Sequence, residues 1–237
     1  MSLLFAAAAT LADSFSQQEN PLNPAGPGAQ RISDLFYIIL VPAMLVCLLV
    51  GGAIIYAAIR FREKPGGPTP KQVGGNNALE FTWTLVPGII LVTIFVLTIF
   101  QLAFIRSVPA AAQVPGALSV KVIGRQWAWS FQYPTPPGAK RPIISFAKMY
   151  IPAGQVVKVD IVSVDVIHSF AVPRLTGKLD AIPGKTNTQW IEAYDPGTYY
   201  GQCTEFCGLS HARMTLEVDA LTPSEFQAWY AKQAGGK

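Results

Sequence analysis

Two apolar stretches, about Leu35 to Ile59 and about Trp83 to Ile105, contain no Asp, Glu, Lys or Arg. As helices rising about 1.5 Å per residue, each reaches across roughly 30 Å of hydrocarbon. Pro42, Pro87 and several glycines interrupt them, which membrane helices tolerate because neighbouring groups re-satisfy the freed backbone. A chain with two such stretches cannot be an ordinary soluble domain throughout. The composition agrees, since 51% of the 237 residues are apolar and the mean hydropathy is +0.33.

The basic residues orient the pair. Arg60, Arg62, Lys64 and Lys71 lie between the stretches against Glu63 and Glu80, while Arg31 alone precedes the first. Cytoplasmic loops carry the excess of Lys and Arg, so the connection 60–82 is expected inside and both termini outside. Residues 1–33 then form an extracytoplasmic lead-in, 34–106 a transmembrane hairpin, and 107–237 an outer domain. Residues 1–12 are small and apolar and end in Thr-Leu-Ala, as a cleaved signal peptide does, yet lack its positive n-region. The sequence leaves both readings open.

From about Leu118 the texture changes to short strands separated by Pro/Gly turns. Val157-Lys-Val-Asp-Ile161 and Met214-Thr-Leu-Glu-Val-Asp219 alternate apolar with polar residues, the period of a half-buried strand. Further strands are expected at 118–124, 126–133, 144–151, 186–193 and 197–202. About seven strands in roughly a hundred residues predict a Greek-key sandwich or barrel. Thr222, Pro223 and Glu225 spell a capping box with proline at the first helical position, so a C-terminal helix is expected, with Phe226, Trp229 and Tyr230 on its apolar face.

Chemistry concentrates in Gly201-Gln-Cys-Thr-Glu-Phe-Cys-Gly-Leu-Ser-His-Ala-Arg-Met214. Cys203, Cys207, His211 and Met214 offer two thiolates, an imidazole and a thioether, ligands that copper prefers over magnesium or calcium. One copper needs a single thiolate; a second four residues later suits two bridged metals. A Cys-x3-Cys disulfide is the plainer alternative. A copper pair needs an imidazole at each end, and the chain's other histidine is His168, in Asp165-Val-Ile-His-Ser-Phe-Ala-Val-Pro173. Cys47 falls inside the first stretch and reads as a small apolar filler.

These segments together resemble subunit II of the haem–copper cytochrome c oxidases. The resemblance runs from about Asp34 to Asp219 and includes Glu80-Phe-Thr-Trp-Thr-Leu-Val-Pro87, Gly124-Arg-Gln-Trp-Ala-Trp129, Leu179-Asp-Ala-Ile-Pro-Gly184 and Tyr200-Gly-Gln-Cys203 in family order. It implies a membrane-anchored all-β protein: a two-helix transmembrane hairpin followed by a cupredoxin Greek-key sandwich or barrel with a C-terminal helix. It also implies a dinuclear copper centre, CuA, bridged by Cys203 and Cys207. His168 and His211 would bind one copper each, with Met214 and the Glu205 backbone carbonyl completing the two shells. The Glu205 carboxylate would reach a magnesium ion shared with subunit I, a hard ligand for a hard cation. Trp127 would receive electrons from the donor, and Glu80 would help protons enter subunit I. A solvated loop carboxylate, a sandwich-core aromatic and a helix-end carboxylate are the ordinary readings of Glu205, Trp127 and Glu80. Phe170, Phe206 and Leu209 would keep water from the metals.

The implied protein is a subunit of a proton-translocating oxidoreductase in a bacterial plasma membrane. It would take electrons from cytochrome c or another small redox protein and pass them to subunit I, whose haems and copper reduce O2. Other oxidase subunits and the lipid bilayer are the remaining partners; nothing points to nucleic acid. A CuA subunit of a nitric-oxide-reducing enzyme and a membrane-anchored copper-handling protein are alternatives. A quinol oxidase subunit, which lacks the copper ligands, does not match.

One departure concerns the donor. Family members that dock a basic cytochrome c carry an acidic surface after the Trp-rich segment. Here Phe131-Gln-Tyr-Pro-Thr-Pro-Pro-Gly-Ala-Lys-Arg141 has no acid and two bases, and residues 107–237 hold twelve Lys/Arg against nine Asp/Glu, a net of +3. Long-range steering favours a donor that is not strongly basic, or one already held in a supercomplex.

Overall fold

The computed structural model describes residues 20–63, 65–67, 69, 72, 74–136 and 141–235. The candidate signal peptide, the basic residues Lys64 and Lys71, and 137–140 of the acid-free segment lie outside them. The chain divides into two compact units, Asp34–Gln101 and Met1–Ser33 with Leu102–Lys237.

The first unit holds most of α1 (Pro27–Arg60) and α2 (Asn77–Arg106). α1 begins eight residues before the apolar stretch because Pro27 suits the first helical position, where no amide partner is needed. Asn76 caps α2, its side-chain oxygen accepting from the amides of Ala78 (3.1 Å) and Leu79 (3.2 Å). The hydroxyls of Thr82, Thr84, Thr93 and Thr98 donate to carbonyls four residues back, so these polar groups are satisfied along an apolar helix. Both helices leave their large apolar side chains exposed, Leu48, Leu49, Leu91 and Phe100 among them. Cys47 is exposed as well and fills no interior.

In the second unit ten strands form two five-stranded sheets. They are β1 (Ser119–Arg125), β2 (Ala128–Gln132), β3 (Ile144–Phe146), β4 (Lys148–Pro152), β5 (Val157–Ser163), β6 (His168–Val172), β7 (Thr176–Ala181), β8 (Asn187–Ile191), β9 (Gly197–Cys203) and β10 (Thr215–Leu221). The sheet orders are β3-β2-β1-β5-β8 and β4-β10-β9-β6-β7. β1 pairs with β5, and β10 with β4, in parallel; the other pairs are antiparallel. This is a cupredoxin-like sandwich.

Alternation decides what is inside. Val157, Val159 and Ile161 of β5 and Leu216, Val218 and Ala220 of β10 share one core with Trp129, Phe131 and Tyr133. Burying each large side chain contributes about 1.5–3 kcal/mol. The buried Tyr133 hydroxyl accepts from the Tyr150 amide at 2.6 Å and donates to its carbonyl at 3.0 Å. Burial pushes this phenol well above its ordinary range.

The stretch 144–151, expected as one strand, is two. Ala147 adopts a positive φ of 58° and hands the chain from the first sheet to the second. β6 has no alternation because all five of its residues are buried. His168 opens this strand.

Residues 20–33 lie along the turn after β6. The Ala25 amide donates to Arg174 (2.7 Å) and the Ala29 amide to Leu175 (3.1 Å), while the Tyr194 amide donates to Ala25 (2.8 Å). A Cβ on Gly26 would collide with the Glu192 carbonyl, so only glycine allows this approach. The helix α3 (Pro223–Ala234) has its capping box, with the Glu225 amide 3.3 Å from the Thr222 hydroxyl and the Thr222 amide 3.0 Å from the Glu225 carboxylate. Trp229 of α3 stacks on Tyr150 with centroids 4.5 Å apart.

Candidate metal centre

β9 and β10 are joined by a loop whose base is closed by the Cys203 amide donating to the Met214 carbonyl at 2.9 Å. Inside it Gly208 takes a φ of +116°, and the His211 amide donates to its carbonyl at 3.1 Å. A short 3-10 turn, His211–Arg213, then carries the chain back. The loop thereby presents Cys203, Cys207, His211 and Met214 to one point. β6 lies beside β9 with Phe170 opposite Cys203, which sets His168 next to the start of the loop.

The donor atoms form a chain. Cys203 Sγ and Cys207 Sγ are 3.8 Å apart. His168 Nδ1 stands 3.9 Å from the first sulfur and His211 Nδ1 3.6 Å from the second. Met214 Sδ is 3.8 Å from Cys207 Sγ, and the Glu205 carbonyl 3.2 Å from Cys203 Sγ. The thiols are thus central, with an imidazole at either side. Two metal–ligand bonds of about 2.0–2.3 Å meeting at a tetrahedral angle separate their donor atoms by about 3.5 Å, so these spacings suit ligands of a shared metal. His168, Cys203, Cys207 and Met214 are all buried. Both cysteines are free thiols. Burial, with the neighbouring Cys203 thiol, pushes the Cys207 thiol up to about 11. Without a nearby cation the protonated form is therefore favoured, and a bound metal reverses that preference.

Asp165 was not among the sequence-derived site residues. Its carboxylate accepts from His168 Nε2 at 2.8 Å, which turns Nδ1 toward the sulfur and fixes the tautomer. It also accepts from the Gln126 amide (2.6 Å) and the Val166 amide (2.7 Å). Burial alone would raise this carboxyl; the hydrogen bonds outweigh it and hold the group below its usual range. An acid three residues before a candidate ligand histidine was the signal available. Gly124 admits the ring from behind, because a Cβ there would lie 3.1 Å from His168 Cδ2 and 3.1 Å from the Trp129 ring.

The two tryptophans separate. Trp129 is fully buried, its ring centroid 5.9 Å from that of His168. Trp127 sits in the β1–β2 turn outside the strand, so strand parity does not govern it, and it is 38% exposed. Its indole N–H donates to the Cys207 carbonyl at 3.1 Å, and the Gln126 side-chain amide donates to the same carbonyl at 2.8 Å. Glu205 turns its carboxylate outward, 3.8 Å from Lys178 Nζ. Glu80 is in the first turn of α2, in the other unit, with its amide donating to Asn76 at 2.9 Å. The expected water shield is corrected in part. Phe170 is buried, but Phe206 is 78% and Leu209 94% exposed, because the inward positions of the loop are taken by Cys203, Cys207 and Met214.

Comparison with known proteins gives a consistent picture. Residues 16–102 match the family model of the cytochrome c oxidase subunit II transmembrane domain, and 136–221 that of its periplasmic domain. Cytochrome c oxidase subunit 2 of Alkalihalophilus pseudofirmus is 39% identical over 210 residues, covering 88% of this chain and 60% of that protein. The chain therefore spans about three fifths of this relative's length. A probable cytochrome c oxidase subunit 2 of Rickettsia bellii is 32% identical over 226 residues, 89% of this chain and 82% of that one. Among solved structures, the periplasmic domain of subunit II of cytochrome oxidase of Bradyrhizobium japonicum is 34% identical, covers 54% of this chain and 96% of that chain, and superposes with a TM-score of 0.47.

Proposed function

The chain belongs to the cytochrome c oxidase subunit II family, is membrane-anchored and carries a Cys/Cys/His group compatible with copper; from this premise we propose that it is the electron port of a terminal oxidase. The observation that carries the reading is the central thiol pair, 3.8 Å apart, with an imidazole nitrogen 3.9 Å and 3.6 Å from its two sulfurs. Cys203 and Cys207 would bridge two coppers, His168 and His211 would each hold one, and Met214 and the Glu205 carbonyl would complete the shells. Bound there, a dinuclear CuA centre supplies one-electron transfer with the charge spread over both metals and their ligands.

The protein's own part is to keep those ligands still. His168 is clamped by Asp165 and seated against Gly124, and the loop base is closed by backbone pairing. A rigid set of ligands moves little when charge arrives, which favours fast transfer. Trp127 would receive the electron from a docked donor; its partial exposure and its hydrogen bond to the backbone of Cys207 support that role.

Electrons would pass from here to the haem–copper subunit I, where O2 is reduced with proton translocation. The Glu205 carboxylate, at the surface beside Lys178, would share a magnesium ion with that subunit, and Glu80 would assist proton uptake on the inner side. The basic residues between α1 and α2 support an outer placement of the β-domain and both termini on a bacterial plasma membrane.

Electron paramagnetic resonance with metal analysis of the purified protein tests the reading. Two coppers per chain and hyperfine structure from two equivalent nuclei are expected. A one-copper spectrum at full loading would overturn it.

A further inference from the structure

The Cys207 carbonyl accepts two side-chain hydrogen bonds, from the Gln126 amide group at 2.8 Å and from the Trp127 indole N–H at 3.1 Å. A carbonyl oxygen has two lone pairs, so these donors saturate it. They come from consecutive residues of the β1–β2 turn, 81 and 80 positions away in the chain. Gly208, the residue after the carbonyl, makes room for both. A Cβ there would stand 3.1 Å from Gln126 Nε2 and 3.3 Å from the Trp127 ring. Closure of the loop needs neither bond, because the Cys203 amide and the Met214 carbonyl already pair at its base.

Gln126 also reaches the other end of the donor set. Its backbone amide donates to Asp165 at 2.6 Å, and Asp165 in turn accepts from His168 Nε2 at 2.8 Å. The side chain of Gln126 is thus bonded to the backbone of one thiol residue, and its main chain to the carboxylate that turns His168. Substituting the side chain removes the first bond and leaves the second, so the two contributions can be separated.

We infer that Gln126 is a positioning residue whose side-chain amide, by donating to the Cys207 carbonyl, raises the reduction potential of the metal pair. The inference rests on the proposed electron-port function and concerns how that port is tuned. On reduction one electron arrives; no bond is made or broken and no proton is transferred. The added negative charge is shared between the metals and their sulfur ligands, and a bare Cys207 carbonyl oxygen would repel it. N–H dipoles aimed at that oxygen offset the repulsion and favour the reduced state. Cys207 is buried, so water does little to screen the effect.

The test is a redox titration of the whole oxidase, followed at the resonance signal of the oxidised copper pair, with copper content measured alongside. Gln126→Met keeps the length of the side chain and its cover over the loop but donates nothing. It is expected to shift the one-electron equilibrium about threefold toward the oxidised form, about 30 mV at roughly 59 mV per tenfold, with both coppers retained. Gln126→Lys keeps a donor and adds a positive charge, so its potential is expected to equal or exceed that of the wild type. An unchanged potential in Gln126→Met would overturn the inference. So would loss of copper from that variant, because the bond would then hold the loop rather than tune the metals. A potential in Gln126→Lys lowered as far as in Gln126→Met would overturn it as well. If the wild type gives the dinuclear signal and only the shifts fail, the tuning alone falls. If the wild type gives no such signal, the electron-port function falls and the tuning with it.

Discussion

The Trp127 indole N–H donates to the Cys207 carbonyl at 3.1 Å, joining a surface aromatic to the backbone of a buried thiol residue. Gly208 makes room for this contact: a Cβ there would stand 3.3 Å from the indole and oblige the ring to shift. One hydrogen bond thus links the surface ring to the backbone of a candidate ligand.

Trp127→Phe keeps an aromatic ring but removes that donor. Electron uptake from a protein donor, followed by stopped flow, is expected to slow by about tenfold, with copper content and the resonance spectrum unchanged. An unaltered rate would remove Trp127 from the route.

Asp165→Asn keeps the shape but removes the anion that orients His168. Copper affinity should fall by about 10–100-fold, the usual consequence of losing such an outer partner, as read by competition with a chelator. Retained affinity would show that packing alone orients the ring.

Gly124→Ala places a methyl group 3.1 Å from His168 and from Trp129, both fully buried. Overpacking there should cost about 1–3 kcal/mol in denaturant unfolding and distort the copper spectrum. Unchanged stability and spectrum would mean that β1 can retreat.

Asp160 sets an acid limit on the β-domain. Burial raises its pKa, but hydrogen bonds from Thr188 (2.6 Å) and Lys158 (3.0 Å) outweigh this and lower it. A carboxyl whose folded pKa is depressed contributes stability above its unfolded pKa, about 4, and that contribution is lost as pH falls through the folded value. Asp160→Asn should therefore lower stability near pH 7, by an amount that shrinks below about pH 4. A difference that is constant with pH would refute the linkage.

Much of this was legible in the chain because the signals were local. An uncharged run of membrane length, a capping box at Thr222–Glu225 and an alternating strand such as 157–161 each depend on neighbours within a few residues. β6 left no such signal, since burial on both faces erases alternation, and the break at Ala147 follows from a change of sheet. The two exposed side chains of the ligand loop, Phe206 and Leu209, were read as shielding because hydrophobicity does not say which way a loop residue points.

The sequence by itself determined the two apolar helices, the all-β domain that follows them and the candidate ligand types in the loop, because those follow from composition and short spacing. Only the tertiary structure decided that His168 meets Cys203 across thirty-five residues, that Asp165 orients it, and that Trp127 rests on Cys207. Those relationships depend on the register of β6 against β9 and on how the loops close over the sandwich, which arise from packing between segments distant in the chain.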